Sequence, residues 1–188
     1  MTRTDIINKY IAKFGYNKYL EIGTQNAVNF YGVECESKIG VDPEPIVKDK
    51  YIIETTSDEF FKHNVDKFDI IFIDGLHHAD QVKKDIENSL KVLDKNGVII
   101  CHDMMPPNED AQKVPRIQKQ WMGDCWKAFV EVRMERDDLE MYVVDTDFGV
   151  GVIRFGKQEK LDIKLSDINW ANFEKNKKEW MNVKEIQI

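Results

Sequence analysis

Apolar and polar positions along this chain alternate between a helical rhythm and a strand-like one. Ile7, Tyr10, Ile11 and Phe14 recur at helical spacing, with Thr4 placed to cap the segment and Gly15 to stop it, which predicts an opening helix. Tyr19 to Ile22 then reads as a short strand closed by Gly23. Lys38 to Val41 reads as a second strand ending on Asp42 and Pro43, with a short helical crossover between the two. Tyr51 to Ile53 predicts a third strand, followed by Thr55, Thr56, Ser57 and Asp58 as the cap of a helix carrying Phe60 and Phe61. Phe68 to Ile73 is apolar except at Asp69, as suits a parallel strand covered on both faces. From Ala79 to Leu93 the stripe Val82, Ile86, Leu90 and Leu93 predicts a helix, with Asp80 to Lys84 and Glu87 to Lys91 as ion pairs on its wet side. Asn96 and Gly97 then turn the chain into a buried strand, Val98 to Cys101, that ends at His102 and Asp103.

The second half is less regular. Met104 to Pro115 carries three prolines and no periodicity, so it is expected to be a long connection of the kind that often serves as a lid or substrate loop. A helix is expected from about Gln118 to Arg136, then strands at Met141 to Val144 and Val150 to Phe155 forming an antiparallel edge. From Asp167 onward, Trp170, Phe173 and Trp180 predict a terminal amphipathic helix. This alternation points to an α/β fold with a mostly parallel sheet, a single domain over residues 1–188, without internal repeats or Gly/Ser linkers.

Composition narrows the possibilities. Hydrophobic residues make up 42% and charged residues 32%, with 5 Pro and 10 Gly, which excludes collagen-like and largely disordered chains. Lys plus Arg total 27 against 34 Asp plus Glu, and the net charge of -7 disfavours a nucleic-acid partner. The apolar runs are too short to span a bilayer and Met1 to Gly15 lacks a signal-peptide core, so no membrane partner and a cytoplasmic setting are expected. Cys35, Cys101 and Cys125 form no CxxC pair and read as packing residues.

In a parallel α/β sheet, ligands bind beyond the carboxyl ends of the strands. The residues at that edge are Glu21 with Gly23, Asp42, Ser57 with Asp58, Asp74 with His77 and His78, and His102 with Asp103. Three of the four histidines fall in this set, and His63 lies outside it. Asp42 follows Gly23 by 19 positions, the spacing at which an acidic side chain accepts the hydroxyls of a nucleoside ribose. The turn Glu21-Ile-Gly-Thr-Gln-Asn-Ala27 has one glycine where a dinucleotide fingerprint carries three, which argues against a pyrophosphate cradle.

Tyr19-Leu-Glu-Ile-Gly-Thr24, Ile39-Gly-Val-Asp-Pro43, Phe68-Asp-Ile-Ile-Phe-Ile-Asp-Gly-Leu-His77 and Gly97-Val-Ile-Ile-Cys-His-Asp103 together resemble the class I S-adenosylmethionine-dependent methyltransferases. Trp121 to Lys127 and Val144 to Gly151 extend the likeness, which is greatest toward the small-molecule and sugar O-methyltransferases associated with glycan biosynthesis. The resemblance implies a Rossmann-like doubly wound sheet of seven strands with an antiparallel last strand. It places Glu21 and Gly23 near the methionine part of the cofactor, Asp42 on the ribose and Ser57 with Asp58 near the adenine, with Asp74 also beside the cofactor. Ala27 stands where many relatives carry a second glycine, and a methyl there is expected to crowd the loop. The related metal-dependent enzymes hold a divalent cation, Mg²⁺ or Mn²⁺, at positions matching Asp74, His102 and Asp103, and the sugar enzymes use a histidine at His77 as base in preference to His78. The expected activity is methyl transfer to a hydroxyl of a sugar, glycan or other small molecule. Two rivals are a metal-dependent hydrolase built on the same Asp and His cluster, and a non-catalytic module of a glycan assembly complex with Trp170, Phe173 and Trp180 as its contact face.

Overall fold

The computed structural model describes residues 1–187. Seven strands form one sheet: β1 (Lys18–Ile22), β2 (Ser37–Asp42), β3 (Ile52–Glu54), β4 (Phe68–Ile73), β5 (Leu93–Cys101), β6 (Leu139–Val144) and β7 (Val150–Phe155). Their order is β3-β2-β1-β4-β5-β7-β6. The first five pair in parallel, and β7 inserts antiparallel between β5 and β6. This is the doubly wound, seven-stranded arrangement expected. The helices are α1 (Arg3–Phe14), α2 (Val28–Gly32), α3 (Ser57–His63), α4 (Ala79–Val92), α5 (Cys125–Glu135) and α6 (Trp170–Trp180).

Strand alternation sorts the core into two layers. Leu20, Ile22, Ile71, Ile73, Ile99 and Cys101 face one cluster, which α4, α5 and α6 complete. Tyr19, Ile70, Phe72, Val98 and Ile100 face the other, completed by Ile6, Ile7 and Tyr10 of α1 and Phe30 of α2. Burial on both faces explains why β4 reads as a nearly continuous apolar run. Its one polar member, Asp69, accepts hydrogen bonds from the backbone N–H groups of Asn17 and Lys18.

Several boundaries differ from expectation. Helix α1 is capped by Thr2, not Thr4, because Thr2 and Asp5 cap each other reciprocally while Thr4 donates its hydroxyl to Asn29. Strand β5 begins at Leu93, with Asn96 and Gly97 inside it and a register shift between Phe68 and Ile70 of β4. The pairs expected along α4 do not form. Lys84 reaches Asp58 at 2.6 Å, Lys83 reaches Glu131 and Glu135 of α5, and Lys91 donates to Asn88. Helix α5 begins at Cys125 instead of Gln118, since the residues before it follow tertiary contacts described below. Phe173 and Trp180 of α6 are buried against Trp126, with a Trp126–Phe173 centroid distance of 4.0 Å, so the supposed aromatic contact face is part of the core. The three cysteines are unpaired, and Cys101 and Cys125 are buried as packing residues. Among the described residues no helix is long and apolar enough to cross a membrane.

Candidate active site

A cleft of about 820 Å³ opens beyond the carboxyl ends of β1, β2, β4 and β5, within the range of small-molecule sites. Gly23 sets its floor. Its φ of 88° is left-handed, and a Cβ there would lie 2.1 Å from the Asp74 carbonyl oxygen, so the β1 turn passes directly over the end of β4. Ala27 also has a positive φ, 58°, in the left-handed region that favours glycine. Its methyl is buried in the core cluster with Phe30.

One end of the cleft suits a nucleoside. Asp42, at the tip of β2, accepts backbone N–H bonds from Gln25 and Glu44, both at 2.8 Å, one on each carboxylate oxygen. These bonds fix the carboxylate while leaving each oxygen a further lone pair. Ser57 and Asp58 open α3 across from Asp42, and Gln81 of α4 donates to both, at 3.2 and 3.3 Å. Gln81 lines the cleft, although in the sequence it is indistinguishable from the other wet-side residues of its helix. Glu21 lies deeper. Tyr19 and Asn29 hydrogen-bond its carboxylate, yet burial dominates and pushes it up to about 7.

The other end is a cluster of acids and imidazoles. Asp74 from β4 and His102 with Asp103 from β5 each offer one ligand atom within 4.8 Å of the others. His77 Nε2 lies 3.2 Å from Asp74 and Nδ1 3.2 Å from Asp103. His102 Nδ1 faces Asp74 at 3.3 Å and Asp103 at 3.2 Å. Burial would raise the Asp74 carboxyl, but His102 and His77 outweigh it and hold it well below the usual range. Asp103 behaves differently. Burial, reinforced by the Asp74 charge, pushes it up to about 6. For His77, burial opposes protonation, yet the neighbouring Asp74 and Asp103 raise its pKa.

Two residues not singled out from the sequence complete this end. Arg3 arrives from α1 and Asp147 from the β6–β7 turn, where they pair at 3.1 Å. His102 and Arg3 hold the Asp147 carboxyl well below its ordinary range. Trp121 stacks on the His77 ring at 5.4 Å. His78 sits outside the cluster as the residue preceding α4, edge-on to Trp121, and His63 pairs with Glu59 on exposed surface.

The segment before α5 is held against this histidine. Gly123 has a φ of 62°, and a Cβ there would lie 1.8 Å from the His77 carbonyl oxygen. Asp124 accepts the Ala79 N–H at 2.8 Å, satisfying a free donor at the start of α4. These contacts explain why Gln118 to Asp124 do not extend the helix.

Two carboxylates and an imidazole form a donor set of the kind that holds Mg²⁺ or Mn²⁺, and Asp42, Ser57 and Asp58 line the same cleft as the buried Glu21. A family model described as a methyltransferase domain matches residues 46–104. No curated protein matches the chain. Among solved structures, an SAH-bound methyltransferase from Podospora anserina superposes with a TM-score of 0.64 at 19% identity, covering 82% of this chain and 78% of its own. The O-methyltransferase TomG of Streptomyces achromogenes, in complex with SAM, gives 0.59 at 11% identity over 81% and 79%. An O-methyltransferase from Bacillus cereus, in complex with SAH, gives 0.54 at 14% identity over 81% and 80%. The chain thus has the Rossmann-like fold of the methyltransferases, with the family match lying over β3, β4 and β5, which carry much of the cleft.

Proposed function

We propose that the protein is an S-adenosylmethionine-dependent O-methyltransferase acting on a hydroxyl of a sugar, glycan or other small molecule. The observation that carries this reading is one continuous cleft lined by Gly23, Asp42, Ser57 and Asp58 toward one end and by Asp74, His77, His102 and Asp103 toward the other. A hydrolase would require only the second of these. In the proposed reaction Asp42 holds the ribose hydroxyls, Ser57, Asp58 and Gln81 border the adenine, and the Gly23 turn allows close approach of the methionine part. His77 accepts the acceptor's proton. A divalent cation at Asp74, His102 and Asp103 would lower the pKa of an acceptor hydroxyl and orient it. Alignment of the acceptor oxygen can contribute roughly 7–11 kcal/mol, more than the roughly 10²–10⁴ in rate expected of a positioned base.

Calorimetry with S-adenosylhomocysteine tests the cofactor half of this reading. One molecule is expected to bind per chain, and Asp42→Ala is expected to weaken binding at least tenfold while the protein stays folded. A folded wild type that gives no binding heat overturns the methyltransferase reading. A screen of sugars and small hydroxyl compounds for labelled methyl incorporation then identifies the acceptor.

A further inference from the structure

The first turns of α3 and α4 meet at the Asp42 end of the cleft. There Gln81 turns its amide nitrogen toward three oxygens: Asp85 Oδ1 at 3.1 Å, Ser57 Oγ at 3.2 Å and Asp58 Oδ1 at 3.3 Å. Two of the three belong to carboxylates, which only accept when ionised. Lys84, 2.6 Å from Asp58 Oδ2, and Gln81 itself hold the Asp58 carboxyl below its ordinary range, so it stays ionised at neutral pH. Exchanging the nitrogen and oxygen of the amide would set Oε1 against both acids. Charge therefore fixes which way the amide faces.

The oxygen on the other arm is left free. Among the described residues nothing donates to Gln81 Oε1, yet it is not one of the polar atoms closed off in the interior, and Gln81 lines the cleft. In the proposed function a base attached to the ribose on Asp42 is bordered by Ser57, Asp58 and Gln81. The Ser57 hydroxyl donates or accepts as required and so does not tell one base from another. Asp58 is engaged on both oxygens, by Gln81 and by Lys84. Gln81 Oε1 is an acceptor of fixed polarity with no partner of its own.

We propose that Gln81 selects the base of the cofactor: its Oε1 accepts a hydrogen bond from the 6-amino group of adenine and rejects a 6-oxopurine, while Asp58 and Asp85 hold the amide in that orientation. An amino group donates, whereas the O6 of hypoxanthine accepts. With hypoxanthine two acceptors face each other and neither is satisfied. This inference rests on the adenosyl reading of the cleft and names the group that recognises the base.

The test is calorimetry on the full chain with S-adenosylhomocysteine and its 6-oxo counterpart, S-inosylhomocysteine. Wild type is expected to bind the adenosyl compound at least about tenfold more tightly, since a site built to pair with an N–H group discriminates strongly against an analogue lacking it. Gln81→Leu keeps a good helix former in α4 and removes both ends of the amide. Its preference is expected to fall to within about twofold, chiefly through weaker binding of S-adenosylhomocysteine, with Gln81→Met alongside should Gln81→Leu fail to fold. Equal affinity of wild type for the two compounds overturns the proposal and leaves the cofactor reading standing. So does a variant that loses affinity for both by the same factor, because a merely structural role for Gln81 would weaken the two alike and preserve their ratio. A folded wild type that binds neither compound overturns the methyltransferase reading together with the proposal.

Discussion

His77 has a carboxylate near each ring nitrogen and Trp121 against its face, so its orientation is fixed from three sides. The same neighbours favour its protonated form, which is the wrong state for a base. Whatever draws the charge of Asp74 and Asp103 away from the ring, a cation or a shared proton, therefore makes His77 a better proton acceptor. His78, one residue on, lacks both carboxylates and immediately precedes α4. His77→Ala is expected to lower kcat by about 10²–10⁴ and leave S-adenosylhomocysteine affinity within about twofold, because the imidazole lies at the acceptor end. His78→Ala is expected to cost less than tenfold. Steady-state kinetics on both variants, with calorimetry on each, decides the assignment; similar losses in the two would assign the proton transfer elsewhere.

At the scale of elements, the site depends on segments that pack across one another instead of running as regular structure. The residues from Gln118 to Asp124 contain no strong local helix breaker except Gly123, which is why their pattern reads as the start of α5. What decides their path is contact with β4's loop and α4: Gly123 over the His77 carbonyl and Asp124 on the Ala79 N–H. Gly123→Ala would place a methyl into backbone with a left-handed φ, so the segment must move off His77. A loss of about 2 kcal/mol or more and a fall in turnover are expected, with cofactor affinity largely retained. Thermal melting, turnover and calorimetry together check this, and an unchanged melting temperature with full turnover would show the segment is not pinned there. The strands, in contrast, are legible from sequence to within a residue or two at most ends. Their apolar runs and the Gly and Asp that punctuate them are local signals. Arg3 and Asp147 were invisible for the opposite reason: they lie 144 positions apart and meet only through the fold. Placing the first cap at Thr4 also conceals that Arg3 occupies the first turn of α1.

Across the whole molecule, the sheet is apolar on both faces and its polar side chains collect at the carboxyl edge, so the cost of burying charge falls mainly there. Two acids lie beneath the cleft with incomplete compensation. Glu21 is pushed up to about 7, and Asp85 of α4 to about 6, in both cases chiefly by burial. Asp85 accepts a bond from Gln81 at 3.1 Å, behind the Ser57 and Asp58 wall of the nucleoside end. An acid whose pKa is higher folded than unfolded binds more protons in the native state between those two values. Stability is therefore highest while it is protonated in both states and falls as pH rises through the folded value. For Asp85 that window runs from the unfolded value of 3.8 to about 6. Asp85→Asn removes the ionisation and keeps an acceptor for Gln81. The variant is expected to exceed wild type by about 1–3 kcal/mol at pH 7.5, an advantage that shrinks toward zero near pH 4. Urea unfolding at pH 4.5, 6 and 7.5 measures it. A difference that does not vary with pH, or a variant less stable at pH 7.5, would mean that hydrogen bonds to the ionised Asp85 outweigh the cost of burying its charge.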